Sequence, residues 1–140
     1  MAKALTTRTS ILVDALPARV WEVLITPKFI KQWFDLPVNF GDQILHHGTV
    51  IEWPGYSRLS VVGCEPNKQL KFLLYDPTWP EPPAHYSIAH VYTLTEENSQ
   101  TLLTLVIGDF AQLADGNKYF EAADSFANDA TLKIKELAES

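Results

Sequence analysis

The sequence predicts an α+β fold in which an antiparallel sheet of about six to seven strands curves around one long C-terminal helix. Apolar residues recur at steps of three or four between Asn117 and Ala138, which places them on one face of a helix. Most of the chain between Ile44 and Phe110 instead shows strand patterns separated by turn sequences. Two short helical patterns precede this run, and one strand pattern precedes them.

The terminal helix has the clearest signal. No Pro or Gly interrupts it, Asp115 or Asn117 is suited to cap its start, and Lys133 and Lys135 lie near its end, where the helix dipole favours cations. Its predicted buried stripe consists of Tyr119, Ala123, Phe126, Ala130, Ile134 and Leu137.

The N-terminal third predicts a strand followed by two short helices. Residues 5–13 are rich in β-branched side chains, which favours a strand. Pro17 and Pro27 each suit the first position of a helix, and Thr26 is a candidate cap for the second helix.

The remaining strands are predicted to pair in an antiparallel manner, because most of their connections are too short for a crossover. The exception is the segment 76–84, DPTWPEPPA, whose four prolines predict a rigid flap with Trp79 at its tip. No repeat or linker divides the chain, so we expect a single domain over residues 1–140. The predicted strands are Thr49–Trp53, Arg58–Glu65, Gln69–Tyr75, Tyr86–Thr95 and Thr101–Asp109, with a further short strand near Asp42–Leu45.

Composition and charge disfavour several classes of function. The net charge is −6 and basic residues form no run, which disfavours nucleic-acid binding. No stretch reaches the roughly 20 apolar residues that a membrane helix requires. The N-terminus shows no secretory signal, and Cys64 is the single cysteine, so we expect a cytoplasmic protein.

The order of elements resembles the helix-grip fold of the START-like superfamily. The resemblance is strongest at VDALPARVWEVLITPKFIKQWF, residues 13–34, and extends to GCEPNKQLKFLLY at 63–75 and TLLTLVIGDF at 101–110. These stretches are most similar to the branch of activator of heat-shock-protein-90 ATPase homologue-like proteins.

The resemblance implies a cavity between the sheet and the terminal helix, where many members of the superfamily bind apolar small molecules. The branch implies no shared catalytic residues. Two positions depart from the usual pattern: Ser125-Phe126 stands where relatives often have Gly-Trp, and Ile107 stands where they often have a polar residue. Both departures make the interior less polar, which disfavours chemistry inside it.

The residues themselves predict no catalytic residue, no metal and no cofactor. His46 and His47 are adjacent and point to opposite faces of any strand, and neither an H-x-x-x-H nor a C-x-x-C spacing occurs. A G-x-S-x-G motif and a Gly-rich phosphate loop are also missing. His90 shares the inward face of its strand with Tyr86 and Tyr92. It orients a ligand, acts as a general base or, in the simpler interpretation, is a hydrogen-bonded core histidine.

Aromatic side chains are the candidate walls of a binding cavity, because they combine apolar area with a few polar groups. Trp79, Trp33 and Phe34 are the candidates for its mouth. The full set of candidates is Trp33, Phe34, Trp53, Phe72, Trp79, Tyr86, His90, Tyr92, Tyr119 and Phe126.

Three functions are consistent with the sequence. The first is a non-catalytic module that binds an apolar or amphipathic small molecule. The second is an interaction protein, a homodimer or a chaperone partner, that uses exposed aromatic residues such as Trp79 and Trp33. The third is a cyclase- or hydrolase-type enzyme with His90 as its base.

Overall fold

The structure, a computed structural model, describes residues 4–140 and has the predicted order of elements. The fold is α+β, with a six-stranded sheet and a long terminal helix, as in a helix-grip protein. Short 3-10 helices form at Pro83–His85 and Phe110–Gln112. The elements are β1 Thr7–Val13, α1 Pro17–Ile25, α2 Pro27–Trp33, β2 Val50–Trp53, β3 Ser57–Glu65, β4 Gln69–Tyr75, β5 Ala89–Glu97, β6 Gln100–Gly108 and α3 Gly116–Glu139.

The six strands form one antiparallel sheet in the order β1-β6-β5-β4-β3-β2. All neighbours except β1 and β6 are consecutive in the chain, as short connections require. The register between β3 and β4 shifts between Val61 and Gly63. Such a bulge bends a strand and increases its twist, which helps the sheet to curve.

Helix α3 covers only the half of the inner sheet face that β1 and β6 form. It packs mainly on β1 and β6 and against α1 and α2. The Thr7 hydroxyl bonds to Asp124 Oδ1 at 2.5 Å, and Lys135 Nζ donates to the Leu12 carbonyl at 2.9 Å. The Arg19 guanidinium donates to the Leu137 carbonyl at 3.1 Å and so satisfies an unpaired group at the helix end. The half of the sheet formed by β2, β3 and β4 therefore extends beyond the helix.

The core lies between the inner face of the sheet and the helices, and strand parity predicted its members. Leu70 and Phe72 of β4, and Leu103, Leu105 and Ile107 of β6, are all buried. From α3, the predicted residues Ala130 and Ile134 are fully buried, together with Ala127 and Thr131, whereas the predicted Tyr119, Ala123, Phe126 and Leu137 are half-buried.

Two strand predictions were wrong. Residues 42–45 form no strand, because the Leu45 N–H donates to the carbonyl of Ile25 at 2.9 Å and so pairs with the end of α1. Strand β5 begins at Ala89 rather than Tyr86. The Tyr86 N–H donates to the Pro83 carbonyl and closes the 3-10 turn.

The start of α3 depends on a close approach of two backbone segments. The first helical residue is Gly116, and a Cβ at this position would lie 2.2 Å from the Phe110 carbonyl oxygen. Only glycine fits there without a backbone shift. Asp115 is the N-cap residue, as predicted, but its side chain makes no capping hydrogen bond.

Candidate functional site

A cavity of about 410 Å³ opens on the half of the sheet that α3 leaves uncovered. Its position differs from the expected one, since the space directly beneath α3 is occupied by core side chains such as Ala127 and Ile134. The volume lies within the range of small-molecule sites, about 300–1,000 Å³. The lining residues are Phe34, Asp35, Trp53, Tyr56, Ser57, Leu59, Leu74 and His90.

The walls of the cavity are mainly apolar and partly aromatic. Phe34 follows α2, and its ring meets the Trp53 ring of β2 edge to face, with centroids 5.5 Å apart. Leu59 of β3 and Leu74 of β4 are register partners on the inner face of the sheet. Phe126 of α3 packs behind Phe34 at 5.4 Å and fixes that wall against the helix. Three elements thus hold the aromatic side of the cavity in place.

His90 is the polar group at the buried end of the cavity. Its neighbours across β4 and β6 are Phe72 and Ile107, both buried, and the ring of Phe126 lies 6.0 Å away. Nδ1 of His90 is the only buried side-chain nitrogen or oxygen within residues 4–140 that lacks a hydrogen-bond partner. An unpaired buried polar group costs about 1–3 kcal/mol, so such an atom is expected to pair with a group from outside the chain, either a water molecule or a ligand.

The charge state of His90 follows from this environment. Burial lowers the pKa of the imidazole from 6.5 to about 4, so the ring is neutral at pH 7. A general base works best with a pKa near the working pH and with a second group that orients it. Nδ1 has no such group. The geometry therefore suits a neutral hydrogen-bonding residue better than a base.

The rim of the cavity is more polar than its walls. Asp35 is exposed, and Tyr56 is 73% exposed in the turn between β2 and β3. Asp35 is the only carboxylate among the lining residues, and neither Lys nor Arg lines the cavity. An entering molecule therefore meets one negative charge before it reaches apolar walls.

The ten predicted site residues divide into three groups. Phe34, Trp53 and His90 line the cavity, and Phe126 supports its wall. Trp33, Phe72 and Tyr92 lie in the core next to it, with the Trp33 and Tyr92 rings 5.7 Å apart. Trp33 Nε1–H donates to the Val23 carbonyl at 3.0 Å. Trp33 is therefore a packing residue, and its expected place at the mouth was wrong.

The third group, Trp79, Tyr86 and Tyr119, lies near the start of α3. Trp79 is only 7% exposed, its ring is 4.9 Å from that of Tyr86, and its Nε1–H donates to the Tyr119 hydroxyl at 3.3 Å. The expectation that the Trp79 side chain is exposed was therefore wrong. The proline-rich segment instead folds over its tryptophan and forms a second aromatic cluster with Tyr75, which is 5.7 Å from Trp79.

The list of site candidates from the sequence omitted five lining residues. Leu59 and Leu74 could have been found, because strand parity places the Leu74 side chain on the inner face and Leu59 is its register partner. The sequence gives little indication that Asp35, Tyr56 and Ser57 line a cavity. They lie after a helix end and at the β2–β3 turn, where hydrophobic periodicity does not predict which way a side chain points. The residues missing from the prediction are Asp35, Tyr56, Ser57, Leu59 and Leu74.

Neither a metal-binding cluster nor a membrane-spanning helix is found in the described part of the chain. Across residues 4–140, no group of three or more His, Cys, Asp or Glu side chains is arranged to hold a metal ion. None of the helices in this range has both the length and the apolar character needed to cross a bilayer.

A curved antiparallel sheet, two short helices after the first strand, a long terminal helix and a cavity on the inner face define a helix-grip protein of the START-like class. Residues 14–138 match the family described as activator of Hsp90 ATPase homolog 1-like protein. The match spans most of the chain, so the protein belongs to this family.

Solved structures show the same fold at low sequence identity. Protein MLL2253 from Mesorhizobium loti aligns with a TM-score of 0.73 at 20% identity, covering 94% of this chain and 95% of its own. The Aha1 dimer from Colwellia psychrerythraea gives 0.72 at 16% identity, with 96% of both chains covered. CalU16 from Micromonospora echinospora gives 0.67 at 19% identity, covering 95% of this chain and 65% of its own. No curated protein sequence matches this chain.

Proposed function

We propose that the protein is a non-catalytic binding module that holds an apolar or amphipathic small molecule in the cavity beside Phe34 and Trp53. The observation that carries the proposal is a cavity of about 410 Å³ with aromatic and aliphatic walls that ends at a buried imidazole. Apolar walls with a few polar groups are the usual composition of a small-molecule site. Membership of the family is consistent with this function.

Filling the cavity tests the proposal directly. Ser57 lines the cavity, whereas Ser87 is exposed outside it. We expect Ser57→Trp to abolish the binding of an apolar probe, naphthalene, because an indole occupies the space. The matched control Ser87→Trp keeps wild-type affinity. NMR titration of 15N-labelled protein measures both, with thermal unfolding to verify the folds. Equal affinity in the two variants would contradict the proposal.

A protein-interaction role is the second candidate, and exposed apolar side chains favour it. Val38, Ile44 and Val50 are all at least 46% exposed, and they lie in or next to the segment that leads into the edge strand β2. Exposed apolar side chains mark an interface where they form one contiguous patch. One structural neighbour, the Colwellia protein, was solved as a dimer. This candidate covers a homodimer or a chaperone partner, and light scattering of the purified chain measures the first directly.

The two tryptophans that were expected to be exposed do not support an interaction surface. Trp79 and Trp33 are both buried, at 7% and 5% exposure. Their area is therefore already used in packing, and an interface would have to use the side chains around β2 instead.

A further inference from the structure

Three features of the cavity bear on the chemistry of its ligand: aromatic walls, a buried imidazole and an acidic rim. Together they indicate one chemical class of ligand. This inference rests on the proposed binding function.

The walls favour a flat ring. The Phe34 and Trp53 rings stand nearly perpendicular, at 88°, so one presents its edge to the face of the other. Both are half-buried and border the cavity, and Leu59 and Leu74 form its aliphatic side. A third aromatic ring gains edge-to-face or offset contacts here beyond its buried area, which an alkyl chain does not.

The imidazole favours a ligand with its own hydrogen-bonding group. Nδ1 of His90 has no hydrogen-bond partner. The imidazole ring can be placed in two orientations that differ by a half-turn flip, and no hydrogen bond at Nδ1 selects one of them. A neutral imidazole carries one N–H and one lone pair. A hydroxyl group both donates and accepts, so it pairs with His90 in either tautomer, whereas the neighbouring Phe72 and Ile107 offer nothing comparable.

The charges around the cavity disfavour anions. Asp35 lies at the rim, no Lys or Arg lines the walls, and the chain carries a net charge of −6. Lys31 and Lys133 border a neighbouring surface depression, which shares Phe34 and Asp35 with the cavity and also includes Phe126. A carboxylate bound by these lysines would therefore lie outside the cavity.

We propose that the ligand is an uncharged aromatic molecule bearing a hydroxyl group, a phenol in chemical class. Its ring packs against Phe34 and Trp53, and its hydroxyl bonds to the His90 imidazole. Carboxylates of the same size are excluded by the neutral imidazole and the Asp35 carboxylate.

Three probes of nearly equal size separate these contributions: naphthalene, 2-naphthol and 2-naphthoate. At pH 7.5 the phenol is uncharged, because phenols ionise near pH 10, and the carboxylate is fully ionised. NMR titration of the Leu59 and Leu74 methyl groups reports binding in the cavity itself. We expect 2-naphthol to bind about tenfold more tightly than naphthalene, the effect of one hydrogen bond, and 2-naphthoate to bind most weakly.

Single substitutions test whether His90 and Asp35 cause the preference for 2-naphthol. His90→Leu is expected to lower 2-naphthol affinity to the naphthalene level, while His90→Gln, which keeps donors and acceptors, retains part of the preference. If His90→Leu fails to fold, His90→Gln carries the comparison. His85→Gln is the matched control, since His85 is exposed and does not line the cavity. Asp35→Asn is expected to strengthen 2-naphthoate binding alone.

Each outcome decides one point. If naphthalene binds in the cavity but 2-naphthol gains nothing, or if 2-naphthoate binds best, the ligand class is wrong and cavity binding stands. The class is also wrong if His90→Leu and His90→Gln leave the preference unchanged. If none of the three probes shifts the Leu59 and Leu74 resonances, the proposed function and the ligand class both fail.

Discussion

At the scale of single residues, His90 stands out because it is a polar side chain held in an apolar environment. Its cross-strand neighbours are apolar, its Nδ1 is unpaired, and burial lowers the pKa of the ring to about 4. Tyr92, two residues further along β5, is also buried, and burial raises the pKa of its hydroxyl above the ordinary value. Both groups therefore remain uncharged at neutral pH.

The depressed pKa of His90 predicts a loss of stability in acid. The unfolded chain binds a proton below about pH 6.5, whereas the folded ring does not until about pH 4. Unfolding therefore becomes more favourable as the pH falls through this window. By pH 4 the loss amounts to about 3 kcal/mol in the free energy of unfolding. Urea unfolding of the wild type and His90→Leu from pH 7 to 4 measures it.

The comparison with His90→Leu isolates this one group, because the two proteins share their other titratable side chains. The stability of His90→Leu relative to the wild type should therefore rise as the pH falls, by about 3 kcal/mol between pH 7 and pH 4. Parallel curves for the two proteins would show that His90 is not buried in a neutral form.

At the scale of elements, α3 is attached to the sheet by both packing and hydrogen bonds. Ile134 is fully buried against the core, while Leu132, two residues earlier, is 52% exposed. Thr7–Asp124 and Lys135–Leu12 hydrogen bonds join the helix to β1. The salt bridge between Lys135 and Glu139 is partly exposed and adds little to the stability of the fold. Hydrogen bonds from the Lys135 side chain and the Asp14 backbone lower the pKa of Glu139.

The two aliphatic residues of α3 provide a matched pair of truncations. We expect Ile134→Ala to lower the free energy of unfolding by about 3 kcal/mol, because it leaves a cavity in the core. Leu132→Ala should change it by less than about 0.5 kcal/mol. Urea titrations monitored by circular dichroism measure both values. Similar losses in the two variants would mean that α3 packs by a different face.

Most elements could be predicted from the sequence because their signals are local. Strand β4, Gln69–Tyr75, was predicted to the residue, since alternation and flanking turns define it completely. Helix α3 was predicted to within one residue at each end, because no breaker interrupts its pattern. The segment 42–45 was mistaken for a strand because its pairing with the end of α1 is a tertiary contact that no local pattern records.

The candidate site was less predictable for a related reason. Aromatic content indicated the residue type of the walls, but not which aromatic residues meet. Trp53 and Trp79 look alike in the sequence, yet one borders the cavity and the other lies in a cluster with Tyr86 and Tyr119. That division depends on tertiary contacts, since Trp53 meets Phe34 whereas Trp79 meets Tyr119 of α3. The environment of His90 likewise depends on its neighbours in β4 and β6.

At the scale of the whole molecule, the cavity follows from how the helix lies on the sheet. Helix α3 packs on β1 and β6, so the inner face of β3 and β4 is left to Phe34, Trp53 and the β2–β3 turn. These residues surround the space without filling it, which leaves about 410 Å³. The arrangement gives a cavity that is apolar, partly open and bordered by a single carboxylate.

We propose that an apolar ligand binds in this cavity and not at the second aromatic cluster. Intermolecular NOEs from bound naphthalene to the protein test it most directly. We expect contacts to Phe34, Trp53, Leu59, Leu74 and the His90 ring. Contacts to Trp79 and Tyr119 instead, or none at saturating probe, would contradict it.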